Sequence, residues 1–92
     1  MNKNIKTVMS KKELEIIEMG SREAVRLLSN ESIKKYLNLA QAIRNKYRDL
    51  VNLHRGSNRH RPNRNHIEKV HIFGVLLGRF DRQYKKNLAA TE

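Results

Sequence analysis

The chain of 92 residues has no cysteine, no tryptophan and a single proline. Without cysteine it has no disulfide, no thiolate nucleophile and no cysteine zinc site. With two phenylalanines and no tryptophan, it offers little material for a platform on which single-stranded bases would stack. The three tyrosines, Tyr36, Tyr47 and Tyr84, fall on apolar helix faces, so we expect them to pack in the core.

Long hydrophobic runs are also lacking. The longest, from Ile72 to Leu77, includes a glycine and is far too short to span a bilayer. The first residues, MNKNIKTVMSKKE, have no apolar core of the length that a signal peptide needs. The cations are not interleaved with bulky apolar residues, as they would be in an interfacial membrane helix. We therefore expect a cytoplasmic protein that does not bind membranes.

Acidic residues are scarce. The chain has 20 Lys and Arg against 9 Asp and Glu, which gives a formal net charge of +11. Like charges repel in a compact body, so this excess does not help the chain to fold. It does favour association with a polyanion such as DNA, RNA or an acidic protein surface.

The cations are densest in the stretch 52–66, NLHRGSNRHRPNRNH. Its glycine, proline and asparagines do not continue a helix comfortably, and no carboxylate lies between Asp49 and Glu68. We predict a basic loop over residues 55–65. Its nucleic-acid-binding residues are predicted to be Arg55, Arg59, His60, Arg61 and Arg64.

The histidines of this region, His54, His60 and His66, are evenly spaced. Zinc needs three or four convergent ligands, and the neighbouring guanidinium groups would oppose a divalent cation. We therefore expect neither a metal site nor another cofactor. The chain also lacks a phosphate-binding glycine-rich loop and a nucleophile elbow, so we do not expect an enzyme.

Capping patterns divide the rest of the chain into helices. Ser10 and Glu13 have the capping-box spacing, and Gly20 suits the left-handed position that ends a helix. Ser21 can cap a second helix, Ser29 or Asn30 a third, and Asn65 a fourth. Apolar residues recur every three or four positions within each segment. We predict helices over residues 11–19, 22–28, 31–54 and 66–88.

These helices predict an all-α fold, in which two short helices precede a long helical hairpin with an arginine-rich loop. Residues 10–88 would form one domain, with a flexible basic arm at 1–9 and a frayed tail at 89–92. The last helix is apolar around most of its middle, so the short helices or a second copy of the chain would cover it. A homodimer through helix 66–88 is therefore one expectation, and Gly74 and Gly78 would admit a neighbouring backbone. The alternative for residues 72–77 is a strand.

The outer face of the third helix carries amides and cations without an acid. Surface helices usually mix acids with bases, because opposite charges four residues apart stabilise them. Amide and guanidinium groups can contact base edges and phosphates. We predict that this face binds nucleic acid through Lys34, Asn38, Gln41, Asn45 and Arg48.

The segment Gly20 to Leu28, GSREAVRLL, resembles the recognition helix of the helix-turn-helix in many bacterial repressors and activators. The resemblance covers about 17 residues with the preceding helix, and it implies that Arg22 and Arg26 lie near phosphates or base edges. The alternative is that two short helices cap a bundle.

Nucleic-acid binding is therefore the predicted function, with duplex DNA ahead of structured RNA or a ribosome. The corresponding role is that of a transcriptional regulator, or of a regulator belonging to a phage or mobile element. The alternative is a protein-interaction module, such as a small inhibitor, that docks its basic face on an acidic or nucleic-acid-binding surface of a partner.

Overall fold

Four helices make up the computed structural model, which describes residues 8–55 and 64–91. They are α1 (Lys11–Met19), α2 (Arg22–Leu27), α3 (Asn30–Arg55) and α4 (Arg64–Thr91). The predicted all-α fold, two short helices followed by a long hairpin, is confirmed. The strand alternative for residues 72–77 is wrong, because these residues lie in the middle of α4.

The helix starts follow the capping chemistry in three cases out of four. At α1 the Ser10 hydroxyl accepts from the Glu13 backbone N–H at 3.2 Å, and a Glu13 carboxylate oxygen accepts from the Ser10 N–H at 2.9 Å. Ser21 and Ser29 likewise accept from backbone N–H groups three residues on, at 3.2 Å. Asn65 is not the cap of α4, since that helix already begins at Arg64.

The core lies where α3 and α4 pack along each other in opposite directions. Ile33 of α3 and Phe73 and Phe80 of α4 are fully buried. The Tyr36 ring stacks on Phe80 with centroids 6.0 Å apart. At the open end of the hairpin the Asn87 amide donates to Asn30 Oδ1 at 2.9 Å, which joins the end of α4 to the start of α3.

The short helices bury few of their apolar residues completely. In α1 Ile16 is fully buried, while Leu14 and Ile17 are half-buried and pack against the core. Leu27 is 88% exposed, because α2 is a single short helix that buries only Val25. Met9, predicted to belong to a flexible arm, is buried in the core; residues 1–7 lie outside the described part.

Glycine is needed at position 20 for space and not for backbone conformation. Its φ is −87°, so the predicted left-handed conformation is wrong. A Cβ at this position would lie 2.5 Å from a Leu76 methyl and 3.2 Å from the edge of Phe80. The turn between α1 and α2 therefore rests directly on α4. At Gly78 a Cβ would have no described atom within 4 Å, so the expected close backbone contact is not seen within the chain.

A buried ion pair connects α1, α3 and α4. Lys69 Nζ donates to Glu13 Oε1 at 3.2 Å, to the Tyr47 hydroxyl at 3.0 Å and to the Val8 carbonyl at 2.9 Å. Both charged side chains are more than nine-tenths buried. The capping-box spacing predicts the contact of Glu13 with Ser10, but nothing local in the sequence predicts its contact with Lys69.

The pKa of Glu13 is lowered and the pKa of Lys69 is raised. Burial alone would raise the pKa of Glu13, but hydrogen bonds from Ser10, Tyr47 and Lys69 and the lysine charge lower it below its ordinary value. Burial would likewise lower the pKa of Lys69, but Tyr47 and Glu13 raise it. Both residues are therefore charged at neutral pH.

Replacing Gly20 by Ala should destabilise the fold by about 1 to 3 kcal/mol, because the new methyl would displace Leu76 and Phe80. Gly78→Ala is the matched control, since its methyl would meet open space. It should stabilise the protein by up to about 1 kcal/mol through helix propensity. Urea denaturation measures both. Equal effects at the two positions would show that the turn does not rest on α4.

Removing one partner of the ion pair should cost about 3 to 5 kcal/mol, because the remaining charge is buried without compensation. Glu13→Gln keeps an oxygen that can accept from Ser10, and Lys69→Met keeps the side-chain length. The double variant should be more stable than either single one. Additive losses in the free energy of unfolding would contradict the coupling of the two residues.

The pair should also give stability a defined pH range. A lowered carboxyl pKa makes its contribution present above the ordinary value of 4.5, and this contribution is lost as the pH falls through the lowered value. A raised lysine pKa makes its contribution present below 10.5, and this is lost as the pH rises through the raised value. Chemical denaturation of wild type and of Glu13→Gln/Lys69→Met across pH should show both limbs in the wild type alone.

Candidate nucleic-acid interface

The structure describes the predicted arginine loop only at its margins. Arg59, His60 and Arg61 lie outside the described residues, as does the side chain of Arg55, whose backbone ends α3. Arg64 was predicted in the loop but belongs to the first turn of α4, where it is exposed. The predicted loop boundaries, 55 and 65, are therefore wrong at both ends.

The predicted outer face of α3 is largely exposed. This holds for Lys34, Asn38, Gln41 and Arg48. Asn45 is half-buried, and its side-chain oxygen accepts from Arg44 at 3.2 Å. Arg48 Nε lies 4.0 Å from an Asp49 carboxylate oxygen, so an acid reaches the edge of this face. The outer face of α3 is therefore less positive than the sequence pattern predicts.

The structure shows a second basic surface, which we call the cationic groove. It is a groove of about 440 Å³ between α2 and α4. Five of its seven lining residues are cations, and none is an acid. The residues are Arg22, Val25 and Arg26 of α2 and Arg79, Arg82, Gln83 and Lys86 of α4.

Helical spacing and two backbone contacts position the cations. Val25 is buried and holds α2 against the core, which leaves Arg22 and Arg26 exposed. On α4 the cations follow one another at intervals of three and four residues, so they share one side of the helix. Arg79 Nη1 donates to the Gly20 carbonyl at 2.7 Å, and Arg82 Nε donates to the Gly78 carbonyl at 3.3 Å.

The nearby carboxylates do not neutralise the cationic groove. Asp81 lies between two groove residues in sequence, but it pairs with Lys85 at 3.1 Å. Glu23 is exposed on α2 and does not line the groove. Within residues 8–55 and 64–91, no groove cation forms an ion pair with a carboxylate. The groove is therefore a place where an anion would relieve mutual repulsion.

Only the α2 half of the cationic groove, Arg22 and Arg26, is among the predicted contacts. The cations Arg79, Arg82 and Lys86 are not, because cations toward the end of a helix are favoured by the helix dipole alone. More than fifty residues separate the two halves in sequence. Residues 79, 82 and 86 share one side of α4, and none of them is an acid. The same pattern, cations without acids on one side of a helix, predicts the binding face of α3.

The two short helices pack on the hairpin, as the bundle-capping alternative to a helix-turn-helix predicted. α2 has six residues, so it is only about 9 Å long. Its two arginines line a groove with α4. This arrangement suits contact with a phosphate backbone more than insertion of α2 into a major groove.

The histidines of the described chain are dispersed. The His66 ring lies 5.2 Å from that of Tyr47, and His71 is exposed farther along α4. Among the residues that the structure describes, no three His, Asp or Glu side chains converge as metal ligands would. No helix in the same residues combines the length and the apolar character that crossing a membrane requires.

Comparison of the chain with protein-family models, with curated proteins and with solved structures gives no match.

Proposed function

We propose that this protein binds nucleic acid and holds a phosphodiester backbone in the cationic groove. The observation that carries the proposal is the convergence of five cations from two helices without a carboxylate among them. Phosphate contacts provide affinity and orientation, and their strength comes mainly from the release of counterions.

The kind of cation favours phosphate over an acidic protein surface. Four of the five groove cations are arginines, whose planar guanidinium groups match two phosphate oxygens at once. A protein interface would also need apolar or aromatic anchors at its centre. The apolar residue of this groove is Val25, which is buried and not available to a partner.

The other predicted contacts have secondary roles in this proposal. The outer face of α3 would follow the backbone or reach base edges through Lys34, Asn38 and Gln41, which are exposed. The loop arginines Arg59 and Arg61 would add phosphate contacts. DNA and RNA present the same phosphodiester chemistry to all these groups, so both belong in the test.

Affinity for duplex DNA should fall steeply with salt. If about six phosphates are neutralised, log K should decrease against log salt with a slope of about −5. Fluorescence anisotropy with a DNA duplex, a structured RNA and a single strand would measure the slope and rank the ligands. A slope near zero for all three would refute the proposal, and retention on an acidic peptide alone would favour a protein partner.

The groove itself is tested with two variants that remove equal charge. Arg22→Gln/Arg26→Gln/Arg82→Gln neutralises three exposed groove cations. Lys11→Gln/Lys12→Gln/Lys35→Gln neutralises three exposed lysines on α1 and α3 that do not line the groove. Each lost phosphate contact should reduce the slope by about one and the affinity about tenfold at roughly 0.1 M salt. Equal losses in both variants would show that net charge alone, and not the cationic groove, supports binding.

A further inference from the structure

A second groove lies beside the cationic groove on α4, and its centre is apolar. It has a volume of about 860 Å³ and runs along the first half of α4. Ile17 of α1 and Ile72 and Val75 of α4 line its middle, while Glu68 and Arg79 lie at its two ends. Two apolar residues that line the groove are exposed in spite of the chain's high charge: Val75 is 44% exposed and Ile67 is 43% exposed. We call this surface the apolar groove.

Four residues of the apolar groove have the spacing of a coiled-coil seam. Glu68, Ile72, Val75 and Arg79 are separated by four, three and four positions, the alternation that places residues along one line of a helix. The two inner residues are apolar and the two outer ones carry opposite charges. Two copies of this seam are therefore complementary when they run in opposite directions.

The charges at the ends have no ion-pair partner in the described chain. Neither Glu68 nor Arg79 forms a salt bridge within residues 8–55 and 64–91, although Arg79 Nη1 donates to the neutral Gly20 carbonyl. They are eleven residues apart on one helix, which is about 16 Å, so they do not pair with each other. A neighbouring molecule could satisfy both if it presented a cation and an anion at the same separation.

We propose that a second copy of this chain occupies the apolar groove, with the two α4 helices antiparallel. A two-fold axis midway between Ile72 and Val75 would bring each Ile72 against Val75 of the second copy. The same axis would bring each Glu68 against Arg79 of the second copy, because a two-fold contact is reciprocal. A parallel pair would instead oppose like charges, which is unfavourable.

The stabilising contacts of the proposed antiparallel dimer are confined to a short seam, so we expect reversible association. Sedimentation equilibrium of the full chain over roughly 10 µM to 1 mM, without nucleic acid, should show a monomer–dimer equilibrium. Val75→Lys should weaken it about tenfold or more, because the charge would lie at the centre of the seam. Leu27→Lys is the control, since Leu27 is 88% exposed on α2 and does not line the groove. It should leave the equilibrium unchanged.

Charge exchange tests the direction of the pair. Glu68→Lys opposes two cations and Arg79→Glu opposes two anions, so each variant alone should dimerise at least about tenfold more weakly. Mixed together, they would recreate two opposite-charge contacts, and a heterodimer should form. Circular dichroism would verify that both variants are folded.

Three results would overturn the proposal. These are a monomeric wild type throughout the concentration range, a dimer that resists Val75→Lys, and folded charge variants that do not associate when mixed.

Discussion

The fold depends on the hydrogen bonds that one buried lysine forms with two other helices. Lys69 enters the core from α4, and its ammonium group reaches α1 through Glu13 and α3 through Tyr47. A buried ion loses several kcal/mol of hydration, so it requires partners at fixed positions. Glu13 also caps α1 through Ser10. The interaction that starts α1 is therefore also the one that docks α1 on the hairpin.

Docking of α1 fixes the position of the turn and of α2. Two turns after Glu13 the helix ends, and Gly20 rests against Leu76 and Phe80 of α4. From there the short helix α2 lies on the second half of α4, where Arg79 holds the Gly20 carbonyl. The two halves of the cationic groove face each other because the turn is fixed at this point. The proposed binding surface is thus a consequence of core packing.

Local chemistry made the helices predictable, and long-range contacts limited what could be predicted. Caps and apolar periodicity act within a few residues, so the sequence indicated four helices with ends near those observed. Lys69 and Glu13 are 56 positions apart, and neither residue by itself indicates the other. Lys69 does lie four positions before Phe73, on the apolar side of α4, which is a place where a lysine needs a partner. The acid-free side of α4 was equally visible, but only packing shows that α2 faces it.

The two grooves meet on α4 at Arg79, beside the Gly20 contact. α4 has 28 residues and is about 42 Å long, whereas α1 and α2 together have 15 residues. These short helices meet α4 at Gly20, which lies against Leu76 and Phe80. N-terminal to the Gly20 contact, α4 is apolar and Ile67 and Val75 are exposed. C-terminal to this contact, α4 is cationic and Arg82 and Lys86 are exposed. Because Arg79 borders both grooves, a change at the Gly20 contact would alter both surfaces together.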